Sequence, residues 1–300
     1  MAQPAVFQGI SRLEADTCEP LKAAAASGAL RLDAWAHGTY PGLPLPPDVL
    51  PGLSSVGVWD AHHPQTWGLD WHYNEGIELT FVLRGKVPFS VGSDDVLLHP
   101  GHMTITRPWQ QHRVGNPRVP ASTLVWFIID VGVRRPNQEW TWPEWLLFSP
   151  ADRERLTTLL RQNEQPLWYA DRAVRERFQL LADTLHKSNV DEISTRIAVA
   201  INDVLLEVLE LFRRRDIAQD ETLCSGRRTV GLFLDELTNR CEEPWTLEEM
   251  AASCGLGRTQ FARHCRSLTN MTPLEDLNAC RHVRAKRLLV EESALSVTEV

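Results

Sequence analysis

Short apolar segments separated by turn residues occupy the first part of the chain. They are rich in Val, Leu, Trp and Thr and are interrupted by Gly and Pro: "LRLDAWAHGTY", "SSVGVWDAH", "IELTFVLRG", "KVPFSVG", "DDVLLHPG", "HMTITRP" and "STLVWFIIDVGV". Segments of this length with closely spaced turn signals are typical of an all-β sandwich or barrel. The pattern therefore predicts a β-domain over residues 1–150.

A helical period replaces the strand pattern from Ser149 onward. "SPADRERLTTLLRQNE" opens with Ser and Pro, which favour a helix start, and "RAVRERFQLLADTLHK" continues the helical pattern. The next helix carries an apolar stripe formed by Ile193, Ile197, Ile201, Val204, Val208 and Phe212, with Leu205 and Leu209 beside it. We predict a helical connector over residues 151–226 that ends in a polar linker. The stripe packs on the β-domain or on a second subunit, because periodicity does not identify the partner.

The last part of the chain predicts a pair of short helices joined by a tight turn. After an amphipathic helix around Phe233, Thr246 is placed to cap a second helix that ends at Cys254-Gly255, where Gly suits a left-handed C-cap. A third helix begins at Arg258 and stops at Asn270. Its predicted inner face consists of Phe261, Cys265 and Leu268. This arrangement is a helix-turn-helix unit.

Charge is distributed unevenly along the chain. The whole protein carries a formal net charge of −8 at pH 7, which argues against indiscriminate binding of nucleic acid. Between Arg258 and Val290, however, seven Arg and Lys residues face two acids, a local excess of five positive charges. A basic face on an acidic body suits docking on phosphate.

Several classes of protein are disfavoured by what the sequence lacks. It has no apolar run of about 18 residues and no basic start followed by an apolar stretch, so we expect a cytoplasmic protein. Its six cysteines include no C-x-x-C pair, which favours reduced thiols over a zinc ribbon or a disulfide framework. No P-loop, dinucleotide fingerprint, G-x-S-x-G or H-E-x-x-H motif is present, and we predict that the protein is not an enzyme.

The C-terminal pattern extends over more than forty residues, "WTLEEMAASCGLGRTQFARHCRSLTNMTPLEDLNACRHVRAKRLL". It resembles the first helix-turn-helix and the linking helix of AraC-type transcription regulators. Departures are Gly257 for the usual Ser cap, Cys265 for a core Phe and Asn270 for the usual Gly. The resemblance implies base-facing positions at Thr259, Ala262 and Arg263, and phosphate or flanking contacts from Arg258, Gln260 and Arg266.

The AraC family carries two helix-turn-helix units, and "ALSVTEV" resembles the start of the second. We therefore expect that the second unit is cut off in this sequence and that the 300 residues bind DNA weakly. For the basic residues of the linking helix, Arg281, Arg284, Lys286 and Arg287, the alternative to a DNA contact is a solvated face or interhelical pairing.

Two stretches of the β-domain, "WHYNEGIELTFVLRG" and "HPGHMTITRPWQQHRVG", resemble the two motifs of a cupin barrel. His72, Glu78 and His112 match the family in order and spacing, but Asn74 stands where many metal-binding cupins have a second His. The three matching residues either hold a metal ion or line a metal-free pocket for an organic ligand. We expect the second, with no metal and no cofactor, and predict a ligand site formed by His72, Glu78, His112, Trp71, Trp109 and Arg107.

These observations predict an α+β multidomain protein with an N-terminal cupin-like β-barrel, a helical connecting segment and a C-terminal all-α helix-turn-helix domain over residues 227–300. The leading hypothesis is a ligand-responsive, sequence-specific DNA-binding transcription regulator. Its expected partners are double-stranded DNA, a sugar or ring-bearing small-molecule effector and, if the helical stripe pairs two chains, a second copy. The alternative is a cupin metalloenzyme of the isomerase or dioxygenase type with a helical appendage.

Overall fold

The computed structural model describes residues 3–9, 11–163, 165–187, 193–215, 217 and 219–291. The chain divides into two compact units. The first, here called the barrel unit, comprises Met1–Phe7, Leu13–Val133 and Glu139–Gln219. The second, here called the helical unit, comprises Gln8–Arg12, Arg134–Gln138 and Asp220–Val300.

Each of the seven segments predicted to be strands contains one. The strands are β1 (Val6–Gln8), β2 (Arg12–Glu14), β3 (Arg31–Ala36), β4 (Leu43–Pro44), β5 (Leu53–Ala61), β6 (Leu69–His72), β7 (Ile77–Gly85), β8 (Val87–Val91), β9 (Asp94–Leu98), β10 (His102–Thr106), β11 (His112–Val114), β12 (Ser122–Ile129) and β13 (Leu167–Tyr169). A seven-stranded sheet has the order β13-β10-β7-β12-β5-β3-β4, and a four-stranded sheet has the order β6-β11-β8-β9. Together they form the predicted β-rich domain.

The central strand β12 explains why the large sheet is buried on both faces. It is antiparallel to both neighbours, with Val125 opposite Val58 of β5 and Phe81 of β7. Because side chains alternate along a strand, Val125 and Phe127 enter one core, while Leu124 and Trp126 enter the other. The first core lies against helices, and the second fills the space between the two sheets.

The barrel unit contains the helices α1 (Glu19–Ala26), α2 (Pro150–Arg161), α3 (Arg172–Lys187) and α4 (Ile193–Arg213). Helices α2, α3 and α4 cover the outer face of the large sheet. Ser149 caps α2 as predicted, accepting a hydrogen bond from the Asp152 amide. On α3, Phe178 stacks on Phe81 with ring centroids 4.7 Å apart.

The predicted stripe of α4, from Ile193 to Phe212, is buried within this unit. It joins the same core as the sheet and helices α2 and α3, so its packing is satisfied within one chain. The segment predicted as a connector therefore contributes α2, α3 and α4 to the same compact unit as the sheets.

Helix α1 was not predicted, because it lies in a region expected to be all β. Pro20 stands in its first turn, and its buried residues Leu21 and Ala24 pack into the core between the sheets. The helix follows Cys18, which has a left-handed backbone conformation with φ of 52°. As a result, α1 contributes side chains to the barrel interior.

The helical unit consists of α5 (Gly226–Leu237), α6 (Leu247–Ser253), α7 (Arg258–Thr269) and α8 (Pro273–Glu291). Phe233 and Phe261 meet edge to face in its core with centroids 5.5 Å apart. Thr246 caps α6 as predicted, and Glu249 completes a capping box by accepting from the Thr246 amide at 2.8 Å. Asn270 ends α7 in the left-handed conformation, with φ of 60°.

The prediction that Leu268 belongs to the core of this unit is wrong. Phe261 and Cys265 are fully buried, but Leu268 is 37% exposed. It lies beside Gly231 of α5, where a Cβ would be 3.9 Å from Leu268 Cδ1. Because glycine offers no side chain, one edge of the leucine stays open to solvent. The segment "ALSVTEV" lies outside the described residues.

Within the described ranges, no helix combines the length and the apolar character needed to span a membrane.

Candidate functional site

The two cupin-like motifs meet through strand pairing in the barrel unit. His72 ends β6 and His112 begins β11, and the antiparallel register places the two residues opposite each other. Their ring centroids are 4.2 Å apart. Glu78 reaches the same place from β7 of the other sheet and accepts a hydrogen bond from His112 Nε2 at 2.9 Å. Residues far apart in sequence are therefore brought together as the resemblance implied.

His112 has the surroundings of an imidazolium. Its Nε2 faces the Glu78 carboxylate, and its Nδ1 lies 2.8 Å from the carbonyl oxygen of Gln110. Both neighbours accept hydrogen bonds, so both ring nitrogens donate. Burial is the largest single influence on His112 and lowers its pKa, but the hydrogen bond to Glu78, the Glu78 charge and the bond to the Gln110 carbonyl together raise the pKa above the ordinary value. For Glu78, burial is again the largest influence and raises the pKa, but the bond from His112, the charges of the two histidines and the bond from Thr80 together bring it below the ordinary value.

His72 has the opposite character. Its Nδ1 donates to the carbonyl oxygen of Asp70 at 2.6 Å. Burial, followed by the charge of His112, lowers its pKa from 6.5 to about 4. At neutral pH the ring is therefore uncharged, with the proton on Nδ1 and a lone pair on Nε2.

Asn74, at the position where many metal-binding cupins have a second His, is buried and donates from Nδ2 to Glu78 Oε2 at 2.8 Å. Glu78 also accepts from Thr80 Oγ1 at 3.3 Å. The carboxylate is thus held by an amide, a hydroxyl and an imidazole. Among the described residues, no group of three or more His, Cys, Asp or Glu side chains is arranged to hold a metal ion. This geometry favours a pocket for an organic molecule.

A cavity of about 30 Å³, here called the barrel cavity, adjoins this polar cluster. Its polar wall is formed by Tyr40, His72, Asn74, Glu78 and Thr80. The remaining wall is apolar or aromatic and consists of Cys18, Leu21, Pro41, Trp59, Leu69, Val114, Leu124, Trp126 and Ile128. The cavity has room for only a few small atoms in this conformation.

A second buried carboxylate lies beside the cavity. Glu75 is 5% exposed and accepts hydrogen bonds from the hydroxyls of Tyr40 and Ser54. Burial and then the nearby Glu75 charge raise the pKa of Tyr40 well above 10.0, so its phenol stays protonated. The sequence analysis missed Glu75, Tyr40 and the cavity-lining Cys18, because long-range contacts bring them to the site.

Four predicted ligand-binding residues do not line the barrel cavity. His112 reaches it only through its hydrogen bond to Glu78, and the other three are Trp71, Trp109 and Arg107. Trp71 is 39% exposed and packs beneath the Arg113 guanidinium, 4.8 Å from the ring centroid. Its neighbour His72 faces inward, and adjacent strand residues point to opposite faces. Alternation could therefore have excluded Trp71 from the sequence alone.

Trp109 and Arg107 have other positions. Trp109 has a left-handed backbone with φ of 62°, donates from Nε1 to the Val133 carbonyl at 2.7 Å and packs on Phe7. It belongs to the core on the helix-covered face of the large sheet. Arg107 lines a separate cavity of about 10 Å³ beside Trp168. Both predictions are corrected, and Trp59 and Trp126 are the tryptophans of the barrel cavity.

The residues predicted to bind DNA share one side of α7. Phe261 and Cys265 face the core, and the rest of the helix surrounds this buried edge. The predicted contacts are exposed except for the half-buried Ala262: Arg258, Thr259, Gln260, Arg263 and Arg266. Arg258 forms an exposed ion pair with Glu248 at 2.6 Å.

Two arginines of the linking helix α8 have partners in the same unit. Arg281 donates to the carbonyl oxygens of Cys241 and Glu243 at 2.7 and 2.8 Å. Arg284 pairs with Glu242 at 2.9 Å. Their role here is to hold α8 against the segment before α6.

The turn between α6 and α7 has its own support inside the helical unit. Asn137 donates from Nδ2 to the Cys254 carbonyl at 2.7 Å and accepts from Thr229 Oγ1 at 3.2 Å. Gly255 has a φ of 63°, and a Cβ there would lie 2.1 Å from the Pro136 carbonyl oxygen. A residue with a side chain therefore fits neither the backbone conformation nor the space.

The barrel unit contains a segment that matches a known family model. Residues 61–127 match the family model described as Cupin_2, a cupin domain. An apo variant of ToxT from Vibrio cholerae is 9% identical, with a TM-score of 0.40 over 79% of this chain and 83% of that one. ToxT with bound unsaturated fatty acid, also from Vibrio cholerae, is 9% identical, with a TM-score of 0.36 over 79% of this chain and 80% of that one.

A cupin superfamily protein from Desulfitobacterium hafniense is 10% identical, with a TM-score of 0.23 over 33% of this chain and 77% of that one. No curated protein matches the sequence. The match at residues 61–127 covers β6 to β11 and most of β12, including His72, Glu78 and His112. The barrel unit of this chain therefore contains a cupin domain.

Proposed function

We propose that this protein is a ligand-responsive, sequence-specific DNA-binding transcription regulator of the AraC type that acts in the cytoplasm. The observation that carries the proposal is the exposed face of α7. Behind a glycine-containing turn, the helix buries Phe261 and Cys265 and leaves Arg258, Arg263 and Arg266 in solvent. A second helix displayed in this way suits insertion into the major groove.

The side chains on this face can perform two different tasks on a duplex. Arg263 can bond guanine O6 and N7 bidentately, and Thr259 and Ala262 can approach a thymine methyl group. Arg258, Gln260 and Arg266 would contact phosphates, which supports affinity and register but carries no sequence information. The exposed pair of Arg258 with Glu248 would yield to a phosphate, because surface ion pairs contribute only about 0–1 kcal/mol.

The barrel cavity would hold the effector, a small organic molecule. Buried polar groups beside aromatic walls are typical of sites that fix the orientation of such ligands. An effector changes DNA binding only if it binds two arrangements of the protein unequally. Regulation therefore requires a measurable difference in effector affinity between the free and the DNA-bound protein.

A second copy of the chain would bind at the outer face of α4. Val199 is 62% exposed and Leu206 is 48% exposed, and the two residues are seven positions apart on the same helix face. The buried stripe of α4 leaves this face of the helix outside the core, where a second chain can reach it. Light scattering of the wild type and of the Val199→Glu variant tests this part: a dimer that becomes a monomer supports it, and an unchanged mass refutes it.

Selection of DNA from a random library with the whole chain tests the main proposal. We expect an enriched sequence that the Arg263→Ala variant no longer discriminates. The matched control is Arg155→Ala, an exposed arginine on α2 that should leave the selection unchanged. If no sequence is enriched, with or without candidate effectors, the proposal is refuted.

The rival function, a cupin metalloenzyme, requires Glu78 and His112 to turn toward a common ion. In this structure they bond to each other at 2.9 Å, and Asn74 donates to the same carboxylate oxygen. The geometry therefore favours the regulator.

A further inference from the structure

In the barrel cavity, most hydrogen-bond donors already have partners, whereas some acceptors do not. Most donors on its polar wall already have partners: Asn74 Nδ2 and Thr80 Oγ1 donate to Glu78, and the Tyr40 hydroxyl donates to Glu75. His112, which lies outside the lining, also donates to Glu78. On the polar wall, the second N–H of the Asn74 amide is the donor that remains for a ligand.

Acceptors, in contrast, remain. His72 lines the cavity, and because its Nδ1 donates to the Asp70 carbonyl, the neutral ring presents the lone pair of Nε2. Glu78 Oε1 accepts one long bond of 3.3 Å from Thr80, and a carboxylate oxygen can accept two. A molecule that fits this wall must bring its own N–H or O–H donors.

Charge points in the same direction. Two carboxyl groups, those of the buried Glu75 and of Glu78, whose side chain is 12% exposed, stand against one imidazolium at His112. An incoming carboxylate would add a further buried negative charge with a single neutral donor, the second N–H of Asn74, to receive it, which is strongly unfavourable. An ammonium group would reduce the imbalance.

The opposite wall suits the body of such a molecule. Trp59 and Trp126 lie with centroids 6.0 Å apart at an interplanar angle of 47°. Their ring systems attract cations as well as apolar groups. Because a ring does not fit in about 30 Å³, a ring-bearing ligand requires Leu21 of α1 to move outward.

We propose that the barrel cavity takes an organic amine, or more weakly an alcohol, whose donor group binds His72 Nε2 and Glu78 and whose apolar or aromatic body lies against Trp59 and Trp126. Carboxylic acids are rejected. This inference rests on the proposed function in that the barrel cavity is taken as the effector site.

Three probes with one ring and different head groups test the ligand class: 2-phenylethylamine, 2-phenylethanol and phenylacetate. Titration calorimetry on the full chain at neutral pH should show that the amine binds tightest. We expect phenylacetate to bind about tenfold or more weakly than the amine, because one charge is repelled where the other is attracted. Tighter binding of phenylacetate, or no saturable binding of the amine at millimolar concentration, overturns the inference.

Variants locate the effect in the cavity. Glu78→Gln should reduce the preference for amine over carboxylate about tenfold, because it removes one of the buried charges. Since Glu78 supports His112, Glu75→Gln provides a second charge change that leaves this pair intact. The control, Glu154→Gln, removes the same charge from an exposed position on α2. An unchanged preference in both cavity variants overturns the inference.

The outcome is independent of the DNA selection described above. If the amine binds but no DNA sequence is enriched, the regulator is refuted and the ligand class stands. If DNA is bound specifically and phenylacetate is the preferred probe, the ligand class is refuted and the regulator stands.

Discussion

The barrel unit and the helical unit use charged side chains in opposite ways. In the barrel unit, Glu78 and His112 are buried and pair with each other. In the helical unit, Arg263 and Arg266 project from α7 into solvent. A buried pair creates a small, dry site that selects by hydrogen bonding, whereas an exposed row attracts an extended polyanion. Under the proposed function, the barrel unit would bind the small ligand and the helical unit would bind the duplex.

The largest expected effect comes from breaking the buried pair. His112→Ala should lower the free energy of unfolding by about 3–5 kcal/mol, because Glu78 remains buried without its charged partner. The matched control is His62→Ala, since His62 is exposed and lies 3.6 Å from Asp60. Denaturant unfolding should change little in the control, and equal effects at the two sites would contradict the comparison.

The second effect concerns pH and His72. Its folded pKa of about 4 lies below the ordinary value of 6.5, so the unfolded chain binds a proton first as the pH falls. Stability should therefore be full above pH 6.5 and decline toward pH 4, by a total on the order of 3 kcal/mol. His72→Gln should flatten this decline.

On the alkaline side His112 contributes the opposite slope, because its pKa is raised: its stabilisation is lost as the pH rises through that value. Tryptophan emission during unfolding reports both slopes, since ten of the eleven tryptophans precede residue 170. A pH-independent transition would show that the buried pair does not control the stability of the barrel unit.

A smaller effect is expected on the exposed face of α7. Arg263→Ala should weaken binding to the selected DNA by about 1–3 kcal/mol and relax discrimination at one position. Arg266→Ala should weaken all sequences alike and reduce the salt slope by about 1. Binding isotherms at several salt concentrations distinguish the two, and identical behaviour would contradict the assigned roles.

The smallest effects concern helix caps in the helical unit. Thr246→Ala should destabilise this unit by about 1 kcal/mol, because it removes the hydroxyl that accepts from the Glu249 amide, while the Thr246 amide can still donate to Glu249. Gly257→Ser should stabilise it by a few tenths of a kcal/mol, since Gly257 caps α7 without a side-chain hydrogen bond. Thermal melting followed by far-UV circular dichroism measures both, and a stabilised Thr246→Ala variant would contradict the assignment.

Local patterns predicted the elements well. Alternation and turn residues located seven strands, β3, β5, β7 to β10 and β12, but not the short strands β6 and β11 that also border the cavity. Thr246 and Asn270 marked helix ends because caps depend on a few neighbouring residues. Pairing of distant residues was harder to predict. The proximity of His72 and His112 was predicted only from the resemblance to the cupin motifs, since period-two patterns do not show which strands are adjacent.

Other parts of the site depend on contacts that the sequence does not encode locally. Glu75 accepts hydrogen bonds from Tyr40 and Ser54, which are distant from it in the sequence. Trp109 lies outside the cavity. Its backbone is left-handed, a conformation that non-glycine residues rarely adopt, so the direction of its side chain could not be read from the sequence. Trp71 and Trp109 were predicted to line the ligand site, but Trp59 and Trp126 line the barrel cavity instead. Strand alternation would have excluded Trp71 from that site.

The bridge made by Asn137 has a practical consequence for dissecting the protein. A fragment that starts at Asp220 contains all four long helices of the helical unit but lacks Asn137, which donates to Cys254 and accepts from Thr229. In such a truncation water must replace the amide at this turn. The turn between α6 and α7 therefore has different hydrogen-bond partners in the fragment and in the whole chain. DNA affinities measured on the fragment should not be taken as those of the whole chain.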